Sequence, residues 1–262
     1  MKPAPPVIKT FAPRSWSVAS AVMCMDPLRP NAAEPVALDH EHETLAFPHR
    51  VGRPLSTSTC RNYLAMTSTD STYTRRLQRL SGRRWKRLVP NPYRWNVRRL
   101  ARGRVLDIGC GIGRCLDFVR PRGVGVDPNE SAVAVCKEKG HQAFTPDDFA
   151  AVYGMPKSHP QFDTLLCSHV LEHLDEATGV ALLRTYLPYL DDASRVVLIT
   201  PQERGQRSDS THVRFMDATT LTAVADKVGL EILRIRSFPF PRFFGRWFIY
   251  NETVTTARVA TR

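Results

Sequence analysis

Short apolar runs alternate with amphipathic segments from about residue 100 onward, and this order predicts strands and helices in turn. Runs with the length of buried strands occupy residues 105–108, 123–126, 142–144, 162–167, 195–199, 230–236 and 247–257. Segments with the length and pattern of helices lie between them, at residues 115–120, 131–139, 179–190 and 218–228. Gly140 and Gly229 follow two of these segments, where glycine commonly ends a helix. The alternation is typical of an α/β domain.

The first 65 residues show neither the alternation typical of strands nor the amphipathic period typical of helices. They are predicted to be a disordered, proline-rich extension. They hold nine of the 20 prolines, together with clusters of Ser and Thr. The histidines of this extension, His40, His42 and His49, are interpreted as solvated side chains rather than metal ligands. One hypothesis is that translation begins at Met66, because residues 66–262 have a suitable length for a compact domain.

Residues 66–104 carry 12 Lys and Arg against one acidic residue, Asp70, and form a basic helical segment in this prediction. Two helices are expected within it, at residues 73–88 and 93–100, with prolines between them. The positive charge could attract a phosphate or carboxylate group, or RNA. A solvated helix face rich in arginine explains the same composition, and the sequence leaves both interpretations open.

A glycine-rich turn follows the first strand and gives the sequence its clearest ligand-binding motif. Residues 107–114 read Asp-Ile-Gly-Cys-Gly-Ile-Gly-Arg, with glycine at every second position of the turn. Glycine lacks a Cβ atom, so such a turn can bend sharply and let its backbone N–H groups approach a ligand. The fingerprint of dinucleotide-binding enzymes needs glycine where Arg114 stands, which argues against an NAD-dependent oxidoreductase.

A second acidic residue supports a nucleotide site. Asp127 ends the second strand, 20 positions after Asp107, where a carboxylate can accept both hydroxyl groups of a ribose. Together with the glycine turn, it resembles the cofactor motifs of class I S-adenosylmethionine (SAM)-dependent methyltransferases. The resemblance implies SAM as the cofactor, with its amino-acid end held by Asp107, Gly109, Cys110, Gly111 and Gly113, and its ribose by Asp127 beside Pro128.

The same resemblance assigns the adenine of the cofactor to an acidic residue after the third strand. Asp147 and Asp148 follow Pro146 at that place and are both candidates for this contact. An aspartate there could equally cap the helix that begins after the proline. The sequence leaves these two uses open.

The segment after the fourth strand, residues 168–174, reads Ser-His-Val-Leu-Glu-His-Leu. It resembles the motif found there in the small-molecule subgroup of the family, which implies that Ser168 and His169 line the methyl-transfer site. His169, Glu172 and His173 also spell the His-x-x-Glu-His motif of inverted zinc peptidases. That motif needs a long helix, whereas a strand ends directly before His169, so we expect no metal site.

The resemblance covers about residues 100–258 and implies a Rossmann-like α/β fold. We expect a seven-stranded sheet, mostly parallel with an antiparallel last strand, and helices on both faces. Residues 105–262 would form the SAM-binding methyltransferase domain, with 66–104 as a lid over it. The expected activity is methyl transfer from SAM to an oxygen, nitrogen or carbon atom of a small-molecule acceptor, with an anionic acceptor as one option. His169 and His212 are the candidate general bases.

Other functions remain open at this point. The arginine-rich segment 66–104 leaves RNA methylation as an alternative function. A non-catalytic SAM-binding protein is another alternative, because it would carry the same cofactor residues. Cytosine C5 methylation is disfavoured because the sequence has no Pro-Cys pair. Six cysteines without zinc-site or disulfide spacing indicate a reduced, cytoplasmic protein. No apolar run is long enough to span a membrane, so no membrane partner is expected, and the oligomeric state is not indicated.

Overall fold

This computed structural model describes residues 91–154 and 161–260 of the 262-residue chain. The predictions for residues 1–65, for a start at Met66 and for a helix at 73–88 lie outside the described residues. Of the basic segment, the structure describes residues 91–104. Among the described helices, none has both the length and the apolar character that crossing a membrane requires.

Helices and strands alternate along the described chain, as the sequence pattern predicts. The helices are α1 (Pro92–Leu100), α2 (Arg114–Val119), α3 (Glu130–Glu138), α4 (Pro146–Tyr153), α5 (Glu176–Tyr186), α6 (Glu203–Gln206) and α7 (Ala218–Val228). The strands are β1 (Val105–Ile108), β2 (Gly123–Val126), β3 (Gln142–Phe144), β4 (Thr164–Ser168), β5 (Arg195–Pro201), β6 (Leu230–Phe238) and β7 (Glu252–Val259). Short 3-10 turns span Leu171–His173, Leu187–Tyr189 and Arg242–Arg246.

The strands form one seven-stranded sheet in the order β3-β2-β1-β4-β5-β7-β6. Neighbouring strands from β3 to β5 are parallel, whereas β7 is antiparallel to both β5 and β6. This arrangement confirms the expected Rossmann-like sheet with an antiparallel last strand. The strand order reverses beside β1, so the carboxyl ends of β1, β2 and β4 meet at one edge, where ligands bind in open α/β sheets.

Alternate residues of each central strand pack against helices on opposite faces of the sheet. Leu106 and Ile108 belong to a core completed by α4, α5 and α7, whereas Val105 packs with α1 and α2 on the other face. Side chains alternate across a strand, so a strand buried on both faces reads as a continuous apolar run. This is why β1, β4 and β5 stand out in the sequence pattern.

The sequence pattern gives the wrong bounds for several elements. The last strand begins at Glu252 rather than at Trp247, because local hydrogen bonds from Trp247 to Phe244 and from Asn251 to Phe248 keep the preceding chain in turns. The helix expected at 179–190 is α5, which begins earlier because Asp175 caps it by accepting a hydrogen bond from Thr178. Each shift reflects a cap or a turn that apolar periodicity does not report.

Candidate active site

The glycine turn after β1 adopts a backbone conformation that favours glycine. Gly109, Gly111 and Gly113 have φ angles of 71°, 52° and 81°, in the left-handed region. A Cβ atom at Gly109 would also collide with the side chain of Val170, which follows β4. The backbone N–H of Gly109 donates to the carbonyl of Val126 at 2.8 Å, so the turn crosses over the end of β2.

Asp107 places a buried carboxyl group beneath this turn. Its side chain is only 1% exposed, and its Oδ2 has no hydrogen-bond partner among the described residues. Burial, followed by the nearby negative charge of Asp127, raises the pKa of Asp107 to about 8. A cation brought next to Asp107 would relieve both effects, because it would favour the ionised carboxylate.

Asp127 joins the glycine turn to the start of α3. Its Oδ2 accepts a hydrogen bond from the backbone N–H of Gly111 at 2.8 Å, and its Oδ1 accepts one from Asn129 at 2.9 Å. Burial raises the pKa of Asp127, and these two backbone donors oppose that rise. Each carboxylate oxygen can accept a second hydrogen bond, so the group keeps acceptor capacity for hydroxyl groups of a ligand.

An apolar slot lies beside the turn, at the ends of β1, β2 and β3. Its lining residues are Ile108, Gly109, Val126, Pro128, Pro146, Val170, Leu182 and Tyr186. Asp147 and Asp148 follow the lining residue Pro146 in the first turn of α4 but are not themselves among the lining residues. Thr145 caps that helix, since its Oγ1 accepts a hydrogen bond from the N–H of Asp148 at 3.2 Å, so neither aspartate is the cap. The adenine contact therefore stays a prediction for both aspartates.

A second cavity of about 150 Å³ lies on the other side of the turn, between α1 and the ends of β4 and β7. Its polar lining comes from Tyr93, Asp107, Arg114, Ser168, His169 and Glu252. The hydroxyl of Tyr93 donates to the carbonyl of Tyr250 at 2.8 Å, which fixes the start of α1 against the segment before β7. Residues 91–104, the described part of the expected lid, thus contribute directly to this cavity.

His169 directly follows β4 and lies between two glutamates. Its Nδ1 is 3.2 Å from Oε1 of Glu172, and its Nε2 is 3.0 Å from Oε1 of Glu252. Burial by itself would lower the pKa of His169, but the hydrogen bonds and charges of the two carboxylates outweigh it and raise the pKa to about 10. An imidazolium donates through both nitrogens. In this arrangement neither nitrogen has a lone pair free to accept a proton from a substrate.

His212 lies elsewhere, so the structure separates the two histidines that the sequence proposes as bases. Its Nδ1 is 3.0 Å from the carbonyl of Gln206, and its ring packs edge-on against that of His173 at a centroid distance of 4.7 Å. It is not among the residues that line the cavity beside Asp107. Glu172 stands between the two regions, because it contacts His169 and also lies next to His173 and His212.

Comparison with known proteins identifies the family of this chain. A family model described as a methyltransferase domain matches residues 73–235, which is more than half of the chain. The chain belongs to this methyltransferase family. Membership confirms the predicted class I SAM-dependent methyltransferase, an enzyme with SAM as its cofactor. No curated protein sequence matches the chain.

Solved structures similar to this methyltransferase support the fold. A SAM-dependent methyltransferase from Archaeoglobus fulgidus is 21% identical, with a TM-score of 0.51 over 63% of this chain and 92% of that one. A methyltransferase bound to the Trm112 activator of Haloferax volcanii is 14% identical, with a TM-score of 0.55 over 75% and 98%. Magnesium protoporphyrin IX methyltransferase from Synechocystis PCC 6803 with bound SAH is 16% identical, with a TM-score of 0.51 over 78% and 100%.

The residues of this methyltransferase fit the cofactor of its family. Asp107 Oδ2 is a buried acceptor that lacks a partner among the described residues, which suits the ammonium group of SAM. The absence of a Cβ atom at Gly109 lets the side chain of Val170 pack against the backbone of the turn. An apolar slot lies on one side of the turn and suits a flat base, and the cavity on the other side contains Asp107 and further polar groups.

The sequence analysis does not single out Glu252, which lines the cavity beside Asp107. The apolar and Thr-rich pattern of residues 247–257 suggested one uninterrupted strand, whereas Glu252 is the first residue of β7. Its register partner is Pro201, the last residue of β5, at the strand ends that border the cavity. A charged residue within an otherwise uncharged strand run is the signal that could have marked it.

Proposed function

We propose that this methyltransferase transfers the methyl group of SAM to a small-molecule acceptor held in the cavity between α1, β4 and β7. The observation that carries the proposal is the small volume of this cavity, about 150 Å³, directly beside Asp107. Asp107, Gly109 and Cys110 also line the cavity, so the amino-acid end of SAM takes part of this volume, and the remainder suits the reacting part of a small molecule rather than a macromolecule. Its lining combines apolar walls with a few convergent polar groups, as is usual for small-molecule sites.

The cofactor residues divide by the part of SAM that each would hold. Asp107 and the turn at Gly109, Cys110, Gly111 and Gly113 hold the amino-acid end, and Asp127 with Pro128 holds the ribose. The slot between Pro128 and Pro146 takes the adenine, and Asp147 or Asp148, which directly follow Pro146 in the chain, supplies a polar contact to it. When bound, SAM supplies an electrophilic methyl group on a sulfonium. Much of the catalysis can then come from holding the acceptor in line, for which few reactive side chains are needed.

Glu252 is the residue that we propose to take the proton of a hydroxyl or amine acceptor. Its Oε1 is held by Nε2 of His169 at 3.0 Å, which leaves Oε2 for the acceptor. His169 then acts as a positioning residue, because both of its nitrogens are engaged by Glu172 and Glu252. This revises the role of base that the sequence suggested for His169. In this proposal His212 is not part of the methyl-transfer site.

Arg114 supports an acceptor that carries a negative charge. It lines the cavity, and its guanidinium lies 5.8 Å from the ring centroid of Tyr93. A carboxylate or phosphate on the acceptor could pair with this guanidinium, while the ring of Tyr93 forms an adjacent wall. The proposed acceptor class is therefore a small hydroxyl or amine compound with an anionic group.

Methylation of RNA is the second candidate function, favoured by the outer face of α1. Trp95 is 59% exposed, and the guanidinium of Arg99 lies 5.0 Å from its ring centroid. Arg94 and Arg98 extend the positive charge of the same helix. Exposed aromatic and arginine side chains can stack on unpaired bases, so this face suits single-stranded RNA.

The test is methyl transfer from labelled SAM by the full-length chain, with small hydroxy and amino acids and total RNA offered separately. We expect label in the small-molecule fraction, and Arg114→Gln should reduce it while leaving SAM affinity unchanged. Trp95→Ala is the matched variant for the second function and should leave small-molecule labelling unchanged. Label that enters RNA alone, and that falls in Trp95→Ala, would overturn the proposal.

A further inference from the structure

A cluster of three side chains of the types that can bind a metal ion lies beside the proposed active site, outside the cavity. Glu172, His173 and His212 each offer one ligand atom, and these atoms all lie within 4.8 Å of one another. The backbone brings them together, because the carbonyl of Glu172 accepts hydrogen bonds from the N–H groups of Val213 and Arg214 at 2.9 and 3.1 Å. The loop that carries His212 is thereby fixed against the 3-10 turn that carries the other two residues.

Glu172 provides an independent sign of a bound cation. Its side chain is fully buried, and its Oε1 is engaged by Nδ1 of His169. Its Oε2 is also buried but has no hydrogen-bond partner among the described residues. A buried carboxylate oxygen without a partner is costly, and an ion bound to it is one of the few ways to offset that cost.

The two histidines make backbone contacts that are common among metal ligands. Nδ1 of His173 is 3.2 Å from the carbonyl of Thr211, and Nδ1 of His212 is 3.0 Å from the carbonyl of Gln206. A carbonyl oxygen only accepts, so each Nδ1 carries the hydrogen and each Nε2 keeps its lone pair. Metal-binding histidines commonly donate their other N–H group to a backbone carbonyl in this way.

We propose that Glu172, His173 and His212 bind a divalent transition-metal ion, with Zn²⁺ as the best match. Two imidazoles and one carboxylate form a ligand set known from zinc sites, whereas Mg²⁺ and Ca²⁺ prefer sites made of oxygen atoms. Both histidine side chains are only half-buried, so an ion can reach them and keep a water molecule as a further ligand. The inference rests on the geometry of this cluster and not on the methyl-transfer reaction.

This site differs from the zinc-peptidase arrangement that the local motif resembles. There the two histidines of the motif would bind one ion, but here His169 has both nitrogens engaged by Glu172 and Glu252. The third ligand comes instead from His212, which is 39 positions beyond His173 in the sequence. Glu172 connects the metal site to the proposed active site, because its other oxygen holds His169.

Metal titration of the chelator-treated full-length chain tests this inference without any measurement of activity. We expect one equivalent of Co²⁺ to bind with visible absorption bands, and Zn²⁺ to displace it. His212→Asn should weaken this binding by more than about 10-fold, since changes even to the partners of metal ligands cost 10-fold to 100-fold. Asparagine keeps a donor near the carbonyl of Gln206 but removes Nε2.

Two further variants make the result decisive. Glu172→Gln should weaken binding as well, whereas His141→Asn should leave it unchanged, because His141 pairs with Asp117 away from the cluster. Circular dichroism melting curves show whether each variant is folded. If Glu172→Gln does not fold, His212→Asn by itself provides the test. The proposal is overturned if the wild type binds no Co²⁺, or if folded His212→Asn binds it with unchanged affinity. In the latter case other histidines, such as those at positions 40, 42 and 49, would be responsible.

Discussion

Nε2 of His169 and Oε1 of Glu252 lie 3.0 Å apart, which connects the end of β4 to the start of β7 across the intervening strand β5. Nδ1 of the same imidazole contacts Glu172, so one side chain joins two carboxylates. The glutamates are almost fully buried, whereas 37% of the His169 side chain is exposed. His169 therefore faces the cavity while it holds the two acidic groups in place.

Replacement of Glu252 by glutamine should lower the methyl-transfer rate by about 100-fold or more, the typical contribution of a positioned base. Glutamine keeps the shape of the side chain and an oxygen for His169, but it cannot take a proton. SAM affinity should remain within about twofold by calorimetry. Glu231→Gln is the matched control, because Glu231 pairs with Arg258 on β6 and β7 at an exposed position. Equal rates for Glu252→Gln and wild type would remove the assigned role.

Two substitutions of His169 should separate the effect of its side-chain contacts on stability from the effect of its backbone conformation. His169→Ala removes both hydrogen bonds to the glutamates, and we expect a loss of about 1–3 kcal/mol in the free energy of unfolding, reduced by solvent screening of the exposed part. His169 has a φ angle of 58°, which is unfavourable for any residue with a Cβ atom. His169→Gly should therefore be more stable than His169→Ala by about 1 kcal/mol. Urea denaturation measures both values, and a glycine variant no more stable than alanine would contradict this explanation.

Binding of SAM should release protons near neutral pH through Asp107. Burial raises the pKa of Asp107 to about 8 in the free protein, so the carboxyl is mostly protonated there and must ionise to pair with the ammonium group. Affinity should accordingly increase as the pH rises from about 6 to about 8. Calorimetry in two buffers of different ionisation enthalpy measures the released protons. Binding of SAM to Asp107→Asn should release fewer protons. An unchanged number of released protons in that variant would assign the release to another group.

The same group should affect stability in the opposite direction. The pKa of Asp107 is higher in the folded protein than its ordinary value of 3.8, so the folded state binds the proton more tightly than the unfolded state. The free energy of unfolding contributed by Asp107 is therefore fully present at low pH and declines as the pH rises from about 4 to about 8. Denaturation experiments give the free energy of unfolding of wild type and of Asp107→Asn at each pH in this range. The two values should converge toward low pH and diverge toward high pH, where the variant is more stable. A constant difference between the two values would contradict the raised pKa.

Gly109→Ala should abolish SAM binding through a steric effect at the turn. An added Cβ atom would collide with Val170 and would also have to adopt a φ angle of 71°. Gly229→Ala is a matched control, because Gly229 has a φ angle of 73° but no neighbouring atom within 4 Å of an added Cβ. Both variants should lose about 1 kcal/mol of stability from the backbone, while only the first loses the cofactor. Equal SAM affinity in the two variants would show that the turn tolerates a side chain.

Much of the fold follows from local sequence patterns. The apolar runs of β1 and β5 and the amphipathic helix α7 match the structure, because burial on one or both faces imposes a period along the chain itself. The glycine turn and Asp127 are likewise local features, since glycine is needed for left-handed φ angles wherever they occur. The family resemblance carried by these residues then supplied the sheet topology.

The contacts of the site depended on residues that are distant in the sequence. His169 and Glu252 are 83 positions apart, and they meet because β7 inserts antiparallel beside β5. His212 resembles His169 as a candidate base in the sequence, yet the loop after α6 places it against His173 on the far side of Glu172. Hence the sequence alone determined the strands, the glycine turn and the cofactor class, because these depend on local periodicity and backbone geometry. Only the tertiary structure decided which groups hold His169 and where His212 lies, because packing across the sheet sets the distances between side chains that the chain order keeps apart.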